Sequence, residues 1–269
     1  MKYLLMLCCC FAANNLTAQE LFTYSEPASN MPVKSYALRS NNYLMRQNAS
    51  GKYSYVADPE MMIGISKKLM LHAEGFFGND YNRFAFDGAS IYGKYRFYSR
   101  DEVHAHFRMA AYGKLAFSKM AVDQPAIDLT GRNSGAELGM VATKLIYKVA
   151  LSAGGSLVNA FDNARGNKFV YSPASKRAVS YNLSVGKLFL PKEYTGYGQT
   201  NFNGMLELLG QTNLASGHSF IDLAPSLQLI FLSKIRLDAG YRFPMVRSLA
   251  RTADRGFLLR LEYNFFNAF

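Results

Sequence analysis

The chain has 269 residues, with 30 basic and 19 acidic side chains and a formal net charge of +11. Beyond its first residues, no apolar run approaches the ~20 residues of a membrane-spanning helix, which excludes a helical membrane protein. The 18 tyrosines and 20 phenylalanines are instead typical of strands and membrane interfaces. A membrane β-barrel remains compatible with a mean hydropathy near zero, because half of each strand faces a polar interior.

The start of the chain predicts a secretory signal peptide over residues 1–18. Lys2 is followed by an apolar run over residues 3–13, and Ala18 supplies a small residue before a polar start. We expect cleavage after Ala18. The three cysteines, at positions 8, 9 and 10, lie inside this segment, so the mature chain would have neither a disulfide nor a thiolate metal site.

Residues 19–34 are predicted to form a short periplasmic N-terminal segment, followed by an outer-membrane barrel over residues 35–269. Residues 19–28 are too short for the plug domain of an actively driven transporter. From residue 35 onward, about twelve stretches alternate between apolar and polar residues, each near the ~9–11 residues that a tilted strand needs to cross a bilayer. The fold class predicted is all-β, a single antiparallel transmembrane β-barrel. The predicted strands cover residues 35–45, 53–65, 69–77, 84–98, 105–117, 134–146, 149–158, 178–190, 201–210, 220–232, 235–243 and 257–269.

The predicted connections differ in length in the manner of bacterial outer-membrane barrels. Short turns join strands 2–3, 4–5, 6–7 and 10–11, whereas long loops join strands 5–6, 7–8 and 11–12. The long connection between strands 8 and 9 departs from this pattern. An even number of strands would place both ends of the barrel on one side of the membrane.

Strand parity predicts which side chains line the lumen. Arg or Lys on the lipid face at mid-bilayer costs ~2–4 kcal/mol, so the charged parity must point inward. The predicted lining comprises Glu74, Lys94, Arg96, Arg108, Lys114, Glu137, Glu207, Arg236, Asp238, Arg242, Arg260 and Glu262.

This charged lining allows two interpretations. Rings of Arg and Lys select anionic solutes, which predicts a polar passage with a bias towards anions. Alternatively, the charges pair across neighbouring strands and fill a narrow barrel. The sequence leaves both open.

The last strand indicates a destination in the outer membrane. It ends on Phe269 and resembles the terminal strand of outer-membrane barrels, which the barrel-assembly machinery reads. We therefore expect this machinery and outer-membrane lipids as partners. An exported chain rarely meets nucleic acid, so contact with anionic lipid head groups better explains the positive charge.

No catalytic residue or cofactor is predicted. His104 and His106 share one face of a strand and could hold a metal, but no third ligand is assignable, and interfacial polar side chains are the preferred interpretation. His218 and Ser219 are adjacent, so their side chains point to opposite faces of a strand. No acid or oxyanion motif accompanies them, which argues against a hydrolase.

Three stretches resemble a known group of proteins: residues 26–32 (EPASNMP), 88–101 (GASIYGKYRFYSRD) and 236–243 (RLDAGYRF). They are similar to uncharacterised outer-membrane barrels from Bacteroidota-type bacteria. More loosely, the chain is similar to transporter-like barrels linked to phenol and aromatic degradation. The resemblance implies a barrel in the outer membrane and carries over no binding or catalytic residue.

The function predicted is that of a passive channel or transporter for small, possibly anionic solutes. The first alternative is a non-transport barrel with a salt-bridge-filled lumen whose outer loops bind a partner. The second is a barrel enzyme that acts on lipids. An open lumen would favour the channel, and a plugged lumen with ordered loops would favour the first alternative.

Overall fold

The computed structural model describes residues 22–79, 83–103, 105–193 and 198–269. The predicted signal peptide and its cleavage site lie outside these residues. Twelve strands and one short 3₁₀ helix, Pro173–Lys176, make up the regular structure of the described chain. The strands are β1 Ser35–Gln47, β2 Tyr53–Gly64, β3 Leu69–Gly78, β4 Ala85–Asp101, β5 Ala105–Ser118, β6 Gly135–Ile146, β7 Val149–Ala160, β8 Arg177–Leu190, β9 Asn201–Asn213, β10 Ser219–Phe231, β11 Ile235–Arg247 and β12 Ala253–Phe265.

The strands form one closed barrel in which every strand pairs antiparallel with its neighbours in the chain. The barrel closes where β1 pairs with β12. Because all strand edges are paired, no backbone edge is left open to the surroundings. The predicted fold class and strand number are confirmed. The described residues contain no helix that is long and apolar enough to cross a membrane.

The predicted end of the last strand is wrong. β12 ends at Phe265 rather than Phe269. Asn267 has a φ of 51°, a left-handed conformation that cannot continue a strand. The Ala268 amide instead donates to the Lys34 carbonyl at 2.8 Å, and the Phe269 side chain is 65% exposed.

The outer face of the barrel is apolar and the inner face is polar. Leu138, Leu157 and Ile91 are exposed by 71%, 62% and 61% and share the outward parity of their strands. The intervening charged and amide side chains point inward and are mostly buried. The alternation that predicted the faces therefore describes the barrel correctly.

Two of the three prolines within the described strands lie at gaps in the ladder of backbone hydrogen bonds. Pro59 in β2 and Pro225 in β10 have no amide hydrogen to donate. The pairing of β2 with β3 is interrupted within residues 57–60, and that of β10 with β11 within residues 223–226. Pro225 therefore lies within a closed barrel wall at a break in the ladder, and not at an edge.

Candidate functional site in the barrel lumen

Residues 22–33, which we call the N-terminal segment, lie inside the barrel. Glu207 of β9 holds one end of this segment and is completely buried. Its carboxylate accepts hydrogen bonds from the backbone amides of Thr23, Tyr24 and Ser25 at 2.9, 2.8 and 2.8 Å. It also accepts one from the Ser25 hydroxyl at 2.6 Å. Four donors therefore satisfy a buried charge and fix the segment.

Basic residues of the wall hold the middle of the N-terminal segment. The ammonium group of Lys94 donates to the Pro27 carbonyl at 2.6 Å and to the Glu26 carboxylate at 3.2 Å. Arg108 donates to the Ser29 hydroxyl at 3.0 Å. Lys94 and Arg108 were both predicted to line the lumen, and they are used here to bind the chain itself.

The last part of the segment packs against apolar wall residues. Met31 forms a buried cluster with Met62 and Met70. A Cβ atom at Gly64 would lie 2.1 Å from the Pro32 carbonyl oxygen, so only glycine allows this approach. The sequence predicts a periplasmic segment over residues 19–34, but its described part lies in the lumen because the wall supplies partners along its whole length.

Buried ion pairs fill the lumen around the N-terminal segment. Arg39 contacts Glu262 at 2.8 Å, Glu60 at 3.1 Å and Glu26 at 3.3 Å. His72 adds a contact to Glu60 at 2.5 Å. Each of these carboxylates thus has a basic partner within the barrel, as buried charges require.

A second buried network continues this one around the wall. Arg236 contacts Asp238 at 2.8 Å and Glu262 at 3.7 Å, and Arg260 contacts Asp238 at 3.5 Å. Arg236 also donates to the Phe22 carbonyl at 2.6 Å, which ties the N-terminal segment to β11.

The structure places the predicted lining on the inward parity and brings most of it into pairs. Lys114 contacts Glu74 at 3.1 Å, and Glu137 accepts from Ser156 at 2.6 Å. Arg96 lies near the barrel end, where it donates to the Lys67 carbonyl at 2.7 Å. The inward-pointing members are Glu74, Lys94, Arg108, Lys114, Glu137, Glu207, Arg236, Asp238, Arg242, Arg260 and Glu262.

The loop between β5 and β6, residues 119–134, folds back into the lumen. Gln211 of β9 exchanges two hydrogen bonds of 2.8 Å with the backbone of Ile127. Gln124 accepts from the amide of Thr252 at 2.9 Å. A Cβ atom at Gly131 would lie 3.0 Å from the side chain of Phe76 on β3, so the loop reaches wall residues well inside the barrel.

Asn163 fixes the base of this loop. Its amide group donates to the carbonyls of Met120 at 2.8 Å and Arg132 at 2.7 Å. Its carbonyl oxygen accepts from the Ser134 amide at 2.6 Å. One buried side chain therefore joins both ends of the loop to the next long loop, between β7 and β8.

A cavity of about 330 Å³ lies between the N-terminal segment and loop 119–134. Tyr24 contributes to it from the segment, and Ile127 and Leu129 from the loop. Phe76 and Val56 are apolar wall residues of the same cavity. Both charged and apolar side chains line this cavity.

A cluster of two arginines borders this cavity. Arg251 makes two contacts of 2.6 Å with the two oxygens of Asp222, and Arg242 binds one of those oxygens through Nε at 2.5 Å. Both guanidinium groups lie over the ring of Phe220, at 3.8 and 5.6 Å from its centroid. Of these residues only Arg242 is in the predicted lining.

The cavity also contains polar groups without a hydrogen-bond partner among the described residues. Oδ1 of Asp58 and the hydroxyl of Tyr24 are both buried and unpartnered. Sequence reasoning missed Tyr24 because residues 22–33 have no strand periodicity. It missed Asp58 although the parity that places Glu60 inward on β2 also places Asp58 there.

The loops outside the strands carry ordinary surface electrostatics. Hydrogen bonds from the Lys176 ammonium group at 2.8 Å and the Phe169 amide at 3.0 Å lower the pKa of the exposed Asp162. The Ser219 hydroxyl bonds to the Thr212 hydroxyl at 2.8 Å, and within the described chain it makes no hydrogen bond to the His218 side chain.

His104, one of the two possible metal ligands, lies outside the described residues. The part of the chain that is described holds no group of three metal-binding side chains. Within those residues, His106 is not part of such a group.

Comparison with known proteins identifies the fold. The barrel is similar to the KdgM porin at 7% identity and a TM-score of 0.54, over 85% of this chain and 99% of the porin. It is also similar to an outer-membrane channel from Pseudomonas putida F1 at 13% identity and a TM-score of 0.60, over 91% of this chain and all (100%) of the channel. No family model and no curated protein matches the chain, so membership of the Bacteroidota-type family stays a prediction. The chain thus has the closed antiparallel barrel fold that these outer-membrane proteins share.

Proposed function

We propose that this protein is a passive outer-membrane channel for small solutes, in which the N-terminal segment and loop 119–134 limit the passage. The observation that carries the proposal is the cavity of about 330 Å³ that these two elements both line. A purely structural filling would bring the charges of the lumen into pairs throughout. Here the pairing stops at the cavity, where Asp58 and Arg242 keep free hydrogen-bonding capacity.

Location in the outer membrane belongs to the same proposal. The exposed leucines of the outer face suit contact with lipid acyl chains, and the closed ladder satisfies the backbone without water. Recognition of β12 by the barrel-assembly machinery remains part of the proposal, with the strand ending at Phe265. The similarity to two outer-membrane proteins supports this location through the fold.

The charges of the cavity do not support a strong preference for anions. Most basic residues of the lumen are neutralised by carboxylates, as the ion pairs of Arg39, Arg236 and Lys114 illustrate. Basic and acidic residues are also balanced around the cavity itself. They are Lys114, Arg132, Arg242 and Arg251 on one hand, and Asp58, Asp87, Asp128 and Glu137 on the other.

Single-channel recording of the refolded protein in a planar bilayer tests the proposal. We expect a small conductance from the wild type, and a larger one from the Glu207→Gln variant or from a chain lacking residues 22–33. Loss of the Glu207 charge weakens four hydrogen bonds that hold the segment. Asp162→Asn changes an exposed loop charge and should leave the conductance unchanged.

The second candidate is a non-transport barrel whose outer loops bind a partner. The specific observation in its favour is the completely buried Glu207 and the ion-pair network around Arg39, which fill one half of the lumen. Silence from the wild type and from both segment variants, each shown to be folded, would contradict the channel and favour this candidate.

A further inference from the structure

We propose that the cavity binds a small zwitterion, an amino-acid-like solute with an apolar side chain. Its ammonium group would meet Asp58 and its carboxylate would meet Arg242. This inference deepens the proposed function by naming the class of solute, and it rests on that function for the route by which the solute arrives. Binding itself is measured without transport.

The acidic side of the site is centred on Asp58 of β2. This side chain is 1% exposed, and its Oδ1 accepts no hydrogen bond from any described residue. An unsatisfied buried carboxylate is expensive, so a donor from a ligand would contribute strongly there. Lys114 donates to Glu74 at 3.1 Å and makes no hydrogen bond to Oδ1 of Asp58 among the described residues.

The basic side of the site is formed by Arg242 and Arg251. Two guanidinium groups share the single carboxylate of Asp222, which leaves one positive charge in excess. Arg251 uses both terminal nitrogens on Asp222, whereas Arg242 uses only Nε. The terminal nitrogens of Arg242 thus make no hydrogen bond to the described chain, and they form the planar donor pair that suits a carboxylate.

The floor and the apolar wall complete the site. The Tyr24 hydroxyl has no partner within the described residues and can donate or accept. Met45, Val56 and Phe76 provide apolar surface beside Asp58. A volume of about 330 Å³ lies at the lower end of the range for small-molecule pockets. These dimensions suit a molecule of the size of leucine.

Charge complementarity distinguishes a zwitterion from a simple ion. A lone cation would satisfy Asp58 and leave the excess positive charge at Arg242 unanswered. A lone anion would do the reverse. A ligand that carries both charges on one small scaffold satisfies both sides and keeps the cavity neutral, which lowers the desolvation penalty of each charge.

Isothermal titration calorimetry on the full mature chain in detergent tests this site, with L-leucine as the probe. The matched probes 3-methylbutylamine and 4-methylpentanoate lack the carboxylate and the ammonium group, respectively. We expect each to bind about tenfold more weakly than leucine or worse, since a hydrogen bond to a charged group contributes on that order. Asp58→Asn and Arg242→Gln should each weaken leucine binding by a similar factor.

Two surface variants serve as controls for charge. Arg247→Gln and Glu102→Gln alter side chains that are 55% and 58% exposed at the barrel ends, and both should bind leucine like the wild type. Retarded or accelerated migration of unheated samples on a denaturing gel shows whether each variant is folded.

The outcomes separate this inference from the proposed function. Leucine binding that requires Asp58 and Arg242, in a protein without conductance, would support the site and contradict the channel. Conductance without leucine binding by folded protein would support the channel and overturn the site. Binding that is equal for the three probes, or equal in the variants and the wild type, would overturn the site as well.

Discussion

The two halves of the lumen differ in how many partners their buried charged groups have. In the half that surrounds residues 22–33, which we call the packed half, carboxylates such as Glu207 and Glu262 have several donors each. In the half below loop 119–134, the cavity half, Oδ1 of Asp58 has no hydrogen-bond partner among the described residues and Arg242 keeps free donors. Charged groups that pair with each other indicate a structural role, whereas a charged group with unused bonds beside a cavity indicates a place for a ligand.

The largest expected effect on stability comes from removing the charge of Arg39 in the packed half. In Arg39→Leu, three carboxylates lose a buried basic partner, and we expect the free energy of unfolding to fall by about 3–5 kcal/mol. Urea-induced unfolding in lipid vesicles, followed by circular dichroism, measures the change. Arg247→Gln removes an exposed arginine from its ion pair with Asp254, which keeps Arg255 as a partner at 3.3 Å, and should cost about 1 kcal/mol or less. Equal losses in the two variants would contradict the structural role of Arg39.

A smaller effect is expected at the anchor of the N-terminal segment. Ser25→Ala removes a 2.6 Å hydrogen bond to the buried carboxylate of Glu207. A hydrogen bond to a charged group contributes about 1.5–3 kcal/mol, and the same unfolding measurement should show a loss in this range. Ser50→Ala, in the exposed turn after β1, is the matched control. A Ser25 variant as stable as that control would show that the three amides suffice.

A third substitution in the packed half tests the close approach of the Pro32 carbonyl to Gly64. In Gly64→Ala the new methyl group would meet the Pro32 carbonyl oxygen at 2.1 Å, and relief requires a shift of the segment. Overpacking of this kind typically costs about 1–3 kcal/mol. In Gly155→Ala the nearest contact is 3.8 Å away, so the same substitution should be tolerated. Similar melting temperatures for the two variants would place the segment elsewhere than against Gly64.

The smallest expected effect is a stabilisation, caused by a substitution in the cavity half. Asp58→Asn replaces a desolvated, unpartnered charge with a neutral amide, and we expect the free energy of unfolding to rise by up to about 1 kcal/mol. Asp222→Asn has the same chemistry but removes the partner of Arg242 and Arg251, and it should destabilise the barrel. A destabilised Asp58 variant would mean that this carboxylate already has a structural task.

The barrel itself follows from alternation, which is a local property of the sequence. Strand parity identifies the inward side chains because a strand has only two faces. Register needs no separate prediction in a meander, since each short turn pairs consecutive strands. The exact end of β12 was missed although the apolar alternation breaks at Asn267, the residue whose backbone conformation leaves the strand.

The contents of the lumen are much harder to predict than its wall. Residues 22–33 carry no periodicity, and their position depends on distant partners such as Glu207 and Lys94. The inward fold of loop 119–134 likewise depends on Gln211, which lies 84 residues after Ile127 in the chain, and no local sequence pattern connects the two. The parity argument found eleven of the charged wall residues but could not say which of them are already satisfied by the chain itself.

Pro59 and Pro225 affect how easily the backbone hydrogen bonds beside the cavity open. Asp58 immediately precedes Pro59, and Arg242 lies on β11 within the interval that faces the break at Pro225. Amide groups next to such breaks exchange their hydrogens faster than those of an uninterrupted ladder, because less must open to expose them. The wall therefore has a gap in its pairing beside each of the two charged groups that have bonds left to form, and amide exchange there should be faster than in the uninterrupted ladder between β6 and β7.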